Sequence, residues 1–200
     1  MRHRNRFVNL IFFISLLAES CVSTNISKYY REHSQALDSI NQTYRSIYNL
    51  RPFSILFTDK SFKHLSLEIN TDSIKYIYEF GISEKRLWDT SRRYNLPPDQ
   101  LESLINGMKS IKCQWAGNLD FYEDGKKNSL VYLSIRSQTF RFPLVDKRYY
   151  VLTYYSQPQY YDEEGRLLAH RKRRQLRRLN KEIFRRINDR VCYTVSDVFR

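Results

Sequence analysis

Apolar and polar residues alternate in two rhythms along this chain, and each rhythm predicts one kind of element. Between about residues 25 and 50, apolar side chains recur at steps of three and four, which predicts an amphipathic helix ending at Arg51-Pro52. Shorter helices are predicted after Ser83 and after Pro97-Pro98. Period-two alternation predicts β-strands within residues 53–57, 65–69, 74–80, 119–121, 130–135, 140–144, 149–155 and 191–195.

The segment from Gly165 to about Arg190 carries most of the positive charge. Residues 166–190 hold eleven Lys or Arg residues against two acids, a net +9 in a chain of formal charge +13. On a helical projection five apolar residues, Leu168 to Ile187, share one arc, which predicts a basic amphipathic C-terminal helix. The charged side of this helix either faces solvent alone or forms a surface for an anionic partner. The residues expected on that side are Arg171, Arg173, Arg174, Arg177, Arg178, Lys181 and Arg185.

Together these elements predict the α+β class. We expect a single domain in which an antiparallel β-sheet packs against an N-terminal helix, a central helical pair and the basic C-terminal helix. Sixteen Tyr and twelve Phe residues supply enough apolar surface for a sizeable core. The predicted boundaries are a leader over residues 1–20, a tether over 21–28 and the domain over 29–200.

The leader has the three parts of an export signal. Three arginines lie within the first six residues, and an apolar run of twelve follows from Phe7 to Ala18. That run is shorter than the roughly 20 residues of a membrane-spanning helix. Small residues, Ala18 and Ser20, precede Cys21, so cleavage is predicted between Ser20 and Cys21. A buried core helix is the alternative, and the crowded arginines disfavour it.

Residues 17–21 resemble the lipobox of bacterial lipoproteins. That family usually has Leu three positions before its cysteine and a small residue two positions before it, where this chain has Ala18 and Glu19. The resemblance implies that Cys21 carries diacylglycerol and anchors the mature protein in a membrane of the bacterial cell envelope. A soluble secreted or periplasmic protein is the alternative.

The two other cysteines, Cys113 and Cys192, have two interpretations. An oxidising compartment would allow them to form a disulfide, with Cys21 occupied by lipid. Otherwise they are buried thiols that pack as small apolar side chains. The tyrosines of residues 149–155 are likewise either core residues or a stacking platform for sugars.

Catalytic motifs do not emerge from the sequence. No two histidines have metal-ligand spacing, and the isolated glycines form no phosphate-binding loop, so we expect no metal, cofactor or catalytic residue. The predicted function is non-catalytic binding or scaffolding at an envelope membrane, with anionic lipid, glycan or acidic protein as partner. Export disfavours nucleic acid. The alternative is a secreted or periplasmic enzyme acting on cell-wall or glycan material, with His64 or His170 beside a distant acid.

Overall fold

The computed structural model describes residues 2–123, 125–136, 149–169, 171–179 and 181–197. The chain divides into two compact units between Leu37 and Asp38. Helix α1, Arg2–Leu50, supplies the whole of the described part of the first unit and the beginning of the second. It contains the helix predicted from residue 25, and the predicted leader and tether are helical as well. Within the described residues, no helix has a stretch long and apolar enough to span a membrane.

The second unit is built on an antiparallel sheet of eight strands. Its order is β3-β2-β1-β4-β5-β6-β10-β9, and β7 and β8 form a separate hairpin. The α+β class and the antiparallel sheet predicted from sequence are therefore confirmed. The strands are β1 Phe53–Phe57, β2 His64–Asn70, β3 Lys75–Gly81, β4 Cys113–Glu123, β5 Lys126–Arg136, β6 Tyr149–Tyr155, β7 Arg178–Leu179, β8 Glu182–Ile183, β9 Arg185–Arg186 and β10 Val191–Ser196.

One face of this sheet, the helix face, packs against helices. Its centre is a row of directly paired residues that crosses the sheet, among them Ile55, Ala116 and Leu133. Helix α2 is Lys85–Arg93 and helix α3 is Pro98–Ser110. A hydrogen bond holds the end of α1 to the sheet: Arg45 donates to the Tyr154 carbonyl at 3.0 Å. A buried apolar side on α3 completes this core, with Leu101, Leu104, Ile105 and Met108.

On the opposite, outer face, the described residues include a cover over the C-terminal strands. The cover is the segment of residues 160–187, here called the cap, which places the fully buried Leu167 and Phe184 against the sheet. The core beneath it is largely aromatic, and Trp115 lies over Gly117 and stacks on Tyr132 at 6.1 Å. The buried sheet residues of this core are Leu130, Tyr132, Tyr149, Val151, Tyr155 and Cys192.

The prediction of a basic C-terminal helix is wrong, since the described part of this segment contains strands and turns. The cap is a set of short antiparallel pairs, because its backbone groups bond across the segment: Leu167 N–H donates to the Phe184 carbonyl and Arg177 N–H to the Leu167 carbonyl, both at 2.8 Å. Its buried anchors, Leu167 and Phe184, lie outside the predicted apolar arc. Positive φ angles at Gly165 and Lys181 mark turns that no continuous helix contains.

The disulfide predicted between Cys113 and Cys192 is also wrong, since both are free and buried. Cys113 pairs with Ile135 on the helix face, whereas Cys192 pairs with Thr153 on the outer face. Two strands, β5 and β6, separate their strands in the sheet. Neighbouring strands are about 4.8 Å apart, so the cysteines are too distant for a bond that needs Cα atoms within roughly 7 Å.

Tyrosines of β6 are core residues rather than a sugar platform, because all seven positions of Tyr149–Tyr155 are buried. The strand predicted over residues 140–144 falls outside the described residues.

Candidate anionic-ligand surface

Four consecutive basic residues, 171–174, form the exposed tip of a hairpin in the cap; we call them the basic tip. Leu168 pairs with Leu176 at its base, and Ala169 N–H donates to the Gln175 carbonyl at 2.8 Å. The turn closes where Gln175 N–H donates to the Lys172 carbonyl at 2.7 Å. A β-turn brings successive side chains close together at the surface, so the tip concentrates positive charge.

Aromatic rings position two of the arginines of the cap. The Arg173 guanidinium carbon lies 4.0 Å from the centre of the Tyr160 ring. That of Arg177 lies 5.3 Å from the centre of the Phe121 ring and 5.7 Å from that of Tyr155. Such contacts hold a guanidinium by one flat side while its N–H groups stay available at the edge. Arg173 is consequently preorganised for a planar anionic group.

Carboxylates neutralise the arginines at the base of the cap. Arg166 contacts Asp162 at 2.7 Å and Glu164 at 3.0 Å, and Arg186 pairs with Asp189. Although desolvation opposes it, hydrogen bonding from Arg166 lowers the pKa of Asp162. Among the described residues, no carboxylate lies within ion-pair distance of Lys172, Arg173 or Arg174. Lys172, Arg173 and Arg174 therefore carry uncompensated charge at the basic tip.

The seven basic residues predicted to share one helix side are divided among several elements. Arg178 is exposed on β7, and Lys181 is exposed in the turn between β7 and β8. Arg177 and Arg185 are only partly exposed. The structure brings together in the basic tip three of the predicted residues, Arg171, Arg173 and Arg174. Sequence reasoning missed the aromatic supports of two cap arginines, Tyr160 for Arg173 and Phe121 for Arg177, because contacts between non-adjacent side chains leave no periodic pattern.

A second cluster lies buried under the cap, around the thiol of Cys192. The hydroxyls of Thr153, Tyr155 and Tyr161 have no oxygen or nitrogen partner in the described part of the chain, and they converge on this sulfur. Burial raises the pKa of the Cys192 thiol to about 12, so it stays protonated at neutral pH. A protonated thiol is a weak nucleophile, and the cluster is therefore a packed polar centre.

Of the two histidines considered for catalysis, His64 lies beside a carboxylate, but at the exposed start of β2. His33 contacts the Tyr29 ring, and the exposed imidazole of His64 lies 4.0 Å from Asp59. His170 lies outside the described residues. No group of three metal-ligating side chains occurs among the residues that the structure describes. Cys21 lies in α1, its side chain is not described, and its lipidation stays a prediction.

One polar network escaped sequence reasoning because it joins distant elements. Asp120, on the helix face of β4, accepts from Tyr48 of α1 at 3.3 Å and from Asn118 at 2.6 Å, and it pairs with Lys127 at 2.8 Å. Each polar group in it has a partner, which indicates a structural tie between α1 and the β4–β5 hairpin.

Comparison with known proteins gives no relative for this fold or surface: no family model, curated protein or solved structure matches the chain.

Proposed function

We propose that this chain is an exported envelope protein, anchored by lipid at Cys21, that binds an anionic surface or partner without catalysis. The observation that carries the proposal is the basic tip, four exposed cations with Arg173 held against Tyr160. A guanidinium fixed in this way loses little side-chain entropy when it meets a phosphate or carboxylate group. The leader supports the cellular location, since its arginines, apolar run and small residues precede Cys21.

Anionic lipid is the partner that fits an anchored protein best. Each basic residue close to such a surface contributes about 1 kcal/mol, and the attraction falls off within a Debye length. Phosphate head groups also offer pairs of oxygen atoms that arginine recognises through paired N–H donors. The basic tip is then a second membrane contact, added to the lipid chain.

Vesicle binding tests the basic tip. The Cys21→Ala variant, which cannot carry lipid, isolates this contact. We expect it to co-sediment with vesicles containing phosphatidylglycerol, and the further changes Arg173→Gln and Arg174→Gln to weaken binding by roughly 30-fold, since two charges contribute about 2 kcal/mol.

The matched control removes two exposed charges elsewhere, with Lys85→Gln and Lys109→Gln, and should change binding far less. Rising salt should weaken the binding of the parent protein. Equal losses in the two double variants, or equal binding to neutral phosphatidylcholine vesicles, would contradict a specific role for the tip.

The anchor has its own test. Mass spectrometry of the N-terminal peptide, after expression in a bacterium with lipoprotein processing, should show Cys21 as the first residue with a diacylglycerol adduct. The Cys21→Ala variant should lose the adduct and leave the membrane fraction at high salt. An unmodified Cys21 peptide from the wild-type protein would refute the anchor and leave the basic tip to be judged by vesicle binding.

A further inference from the structure

A groove of about 420 Å³ between α1 and α3 lies in the second unit, on different elements from the basic tip. Three of its side chains come from α1 and three from α3, and each set has the spacing i, i+1, i+4, which places it on one side of its helix. Its volume falls in the range of roughly 300–1,000 Å³ that ligand pockets occupy. The lining residues are Gln42, Thr43, Ser46, Asp99, Gln100 and Ser103.

All six lining side chains are polar, and within the described residues none of them makes a hydrogen bond to the protein. Gln42 and Gln100 each offer an amide that donates and accepts at the same time. The serine and threonine hydroxyls do likewise, and Asp99 adds an acceptor. All of these side chains except Thr43 are exposed, so water hydrates their polar groups in the free protein, and a ligand with its own hydroxyls could exchange that water for direct hydrogen bonds.

The composition of the lining selects the class of ligand. No cation is among the lining residues, so a phosphate or carboxylate ligand would meet the Asp99 carboxylate without compensation. Every lining side chain carries a polar group, and an apolar helix face would bury those groups without hydrogen-bond partners. The hydroxyls of a saccharide both donate and accept hydrogen bonds. They therefore complement the amides, the hydroxyls and the single carboxylate that line the groove. We infer that the groove between α1 and α3 binds a neutral saccharide.

The test is an NMR titration of the full-length protein with three neutral trisaccharides: maltotriose, cellotriose and chitotriose. The side-chain amide signals of Gln42 and Gln100 report directly on the groove. At least one trisaccharide should shift both signals saturably, with a dissociation constant on the order of 1 mM. The variant Gln42→Ala, Gln100→Ala should weaken binding about tenfold, measured by calorimetry, because it removes two amide partners.

The control, Asn49→Ala with Asn106→Ala, removes two exposed amides from the same helices outside the groove and should leave the affinity unchanged. The amide spectrum of each variant verifies its fold. Absence of shifts at Gln42 and Gln100 with all three sugars would overturn the inference, and so would equal weakening by the control. Saturable shifts with trialanine and none with a sugar would also overturn it, in favour of a peptide site. None of these outcomes depends on the anchor or the basic tip.

Discussion

The carboxylate of Asp59 organises the turn between β1 and β2. It accepts hydrogen bonds from the backbone N–H groups of Ser61, Lys63 and His64, at 3.2, 2.9 and 2.8 Å, and from the Ser61 hydroxyl. Desolvation alone would raise the pKa of Asp59, but these hydrogen bonds outweigh it and lower the pKa to about 2 from an ordinary value of 3.8. The folded state therefore favours the ionised form.

A pH dependence of stability follows from this lowered pKa. The contribution of ionised Asp59 is fully present above pH 3.8 and is lost as the pH falls through about 2. We expect Asp59→Ala to lower the urea midpoint at neutral pH, and the difference from wild type to shrink over that acidic range. The exposed Asp72, whose carboxylate accepts no hydrogen bond among the described residues, provides the control Asp72→Ala. If the difference in urea midpoint between the wild type and Asp59→Ala stays constant down to pH 2, this account is contradicted.

Two arginines of the cap also differ at the residue scale. Arg173 lies over Tyr160, whereas Arg166 is held by Asp162 and Glu164. Composition counts both as one positive charge, yet Arg166 has a neutralising partner and Arg173 keeps its charge for a ligand. The number of basic residues was readable from sequence, but which of them remain available depended on the backbone turns that place Asp162 against Arg166 and Tyr160 against Arg173.

At the scale of elements, the cap depends on apolar anchors more than on its charges. Phe184 is fully buried within the aromatic core of the outer face, and its backbone carbonyl accepts from Leu167. Together, these contacts hold the cap, which has little regular secondary structure, against the outer face of the sheet. The basic tip is positioned because Leu167 and Phe184 hold the segment that carries it.

Truncating this anchor should destabilise the second unit. Phe184→Ala removes a fully buried ring, and such changes cost about 3–5 kcal/mol. We expect a large drop in the urea midpoint, together with faster hydrogen exchange at the cap amides of Leu167 and Arg177. Ile77→Ala truncates an apolar side chain that is 64% exposed and should change stability by no more than about 0.5 kcal/mol. Similar midpoints for the two variants would refute the anchoring role of Phe184.

The error over the cap has a physical cause at this scale. Leu168, Leu176 and Ile183 recur at helical spacing, but the outer face of the sheet buries Leu167 and Phe184 and offers strand β10 as a pairing partner. A helix would have left that face only partly covered. Strands β1, β2, β3, β6 and β10 and helices α2 and α3 lie close to their predicted positions. For β4 and β5, only residues 119–121 and 130–135 were predicted, although each strand has 11 residues.

For the molecule as a whole, the sheet separates the two buried thiols. Cys113 belongs to the helix face and Cys192 to the outer face, so neither can reach the other in the folded state. Burial raises the pKa of both thiols to about 12, which leaves almost no thiolate at neutral pH. These thiols are therefore protected from oxidation by burial in whichever compartment the protein occupies.

Alkylation kinetics test this separation. In the folded protein we expect iodoacetamide to modify Cys113 and Cys192 at least 100-fold more slowly than in 6 M guanidinium, roughly in proportion to thiolate content and access. Peptide mass spectrometry resolves each site and keeps Cys21 out of the comparison. Both sites should alkylate fully after unfolding without reductant. A Cys113–Cys192 disulfide-linked peptide from the purified protein would contradict the structure.

The sequence by itself determined those features that depend on the pattern of neighbouring residues. Periodicity gave the helices, most strands, the antiparallel α+β class and the concentration of positive charge near the C-terminus, because alternation reflects which side of an element is buried. The leader motif is equally local and predicts an anchor at Cys21. The tertiary structure alone decided the form of the cap, the separation of the cysteines, the support of Arg173 by Tyr160 and the groove between α1 and α3. Each of these depends on side chains and backbone groups that the fold brings together, and such contacts leave no period in the sequence.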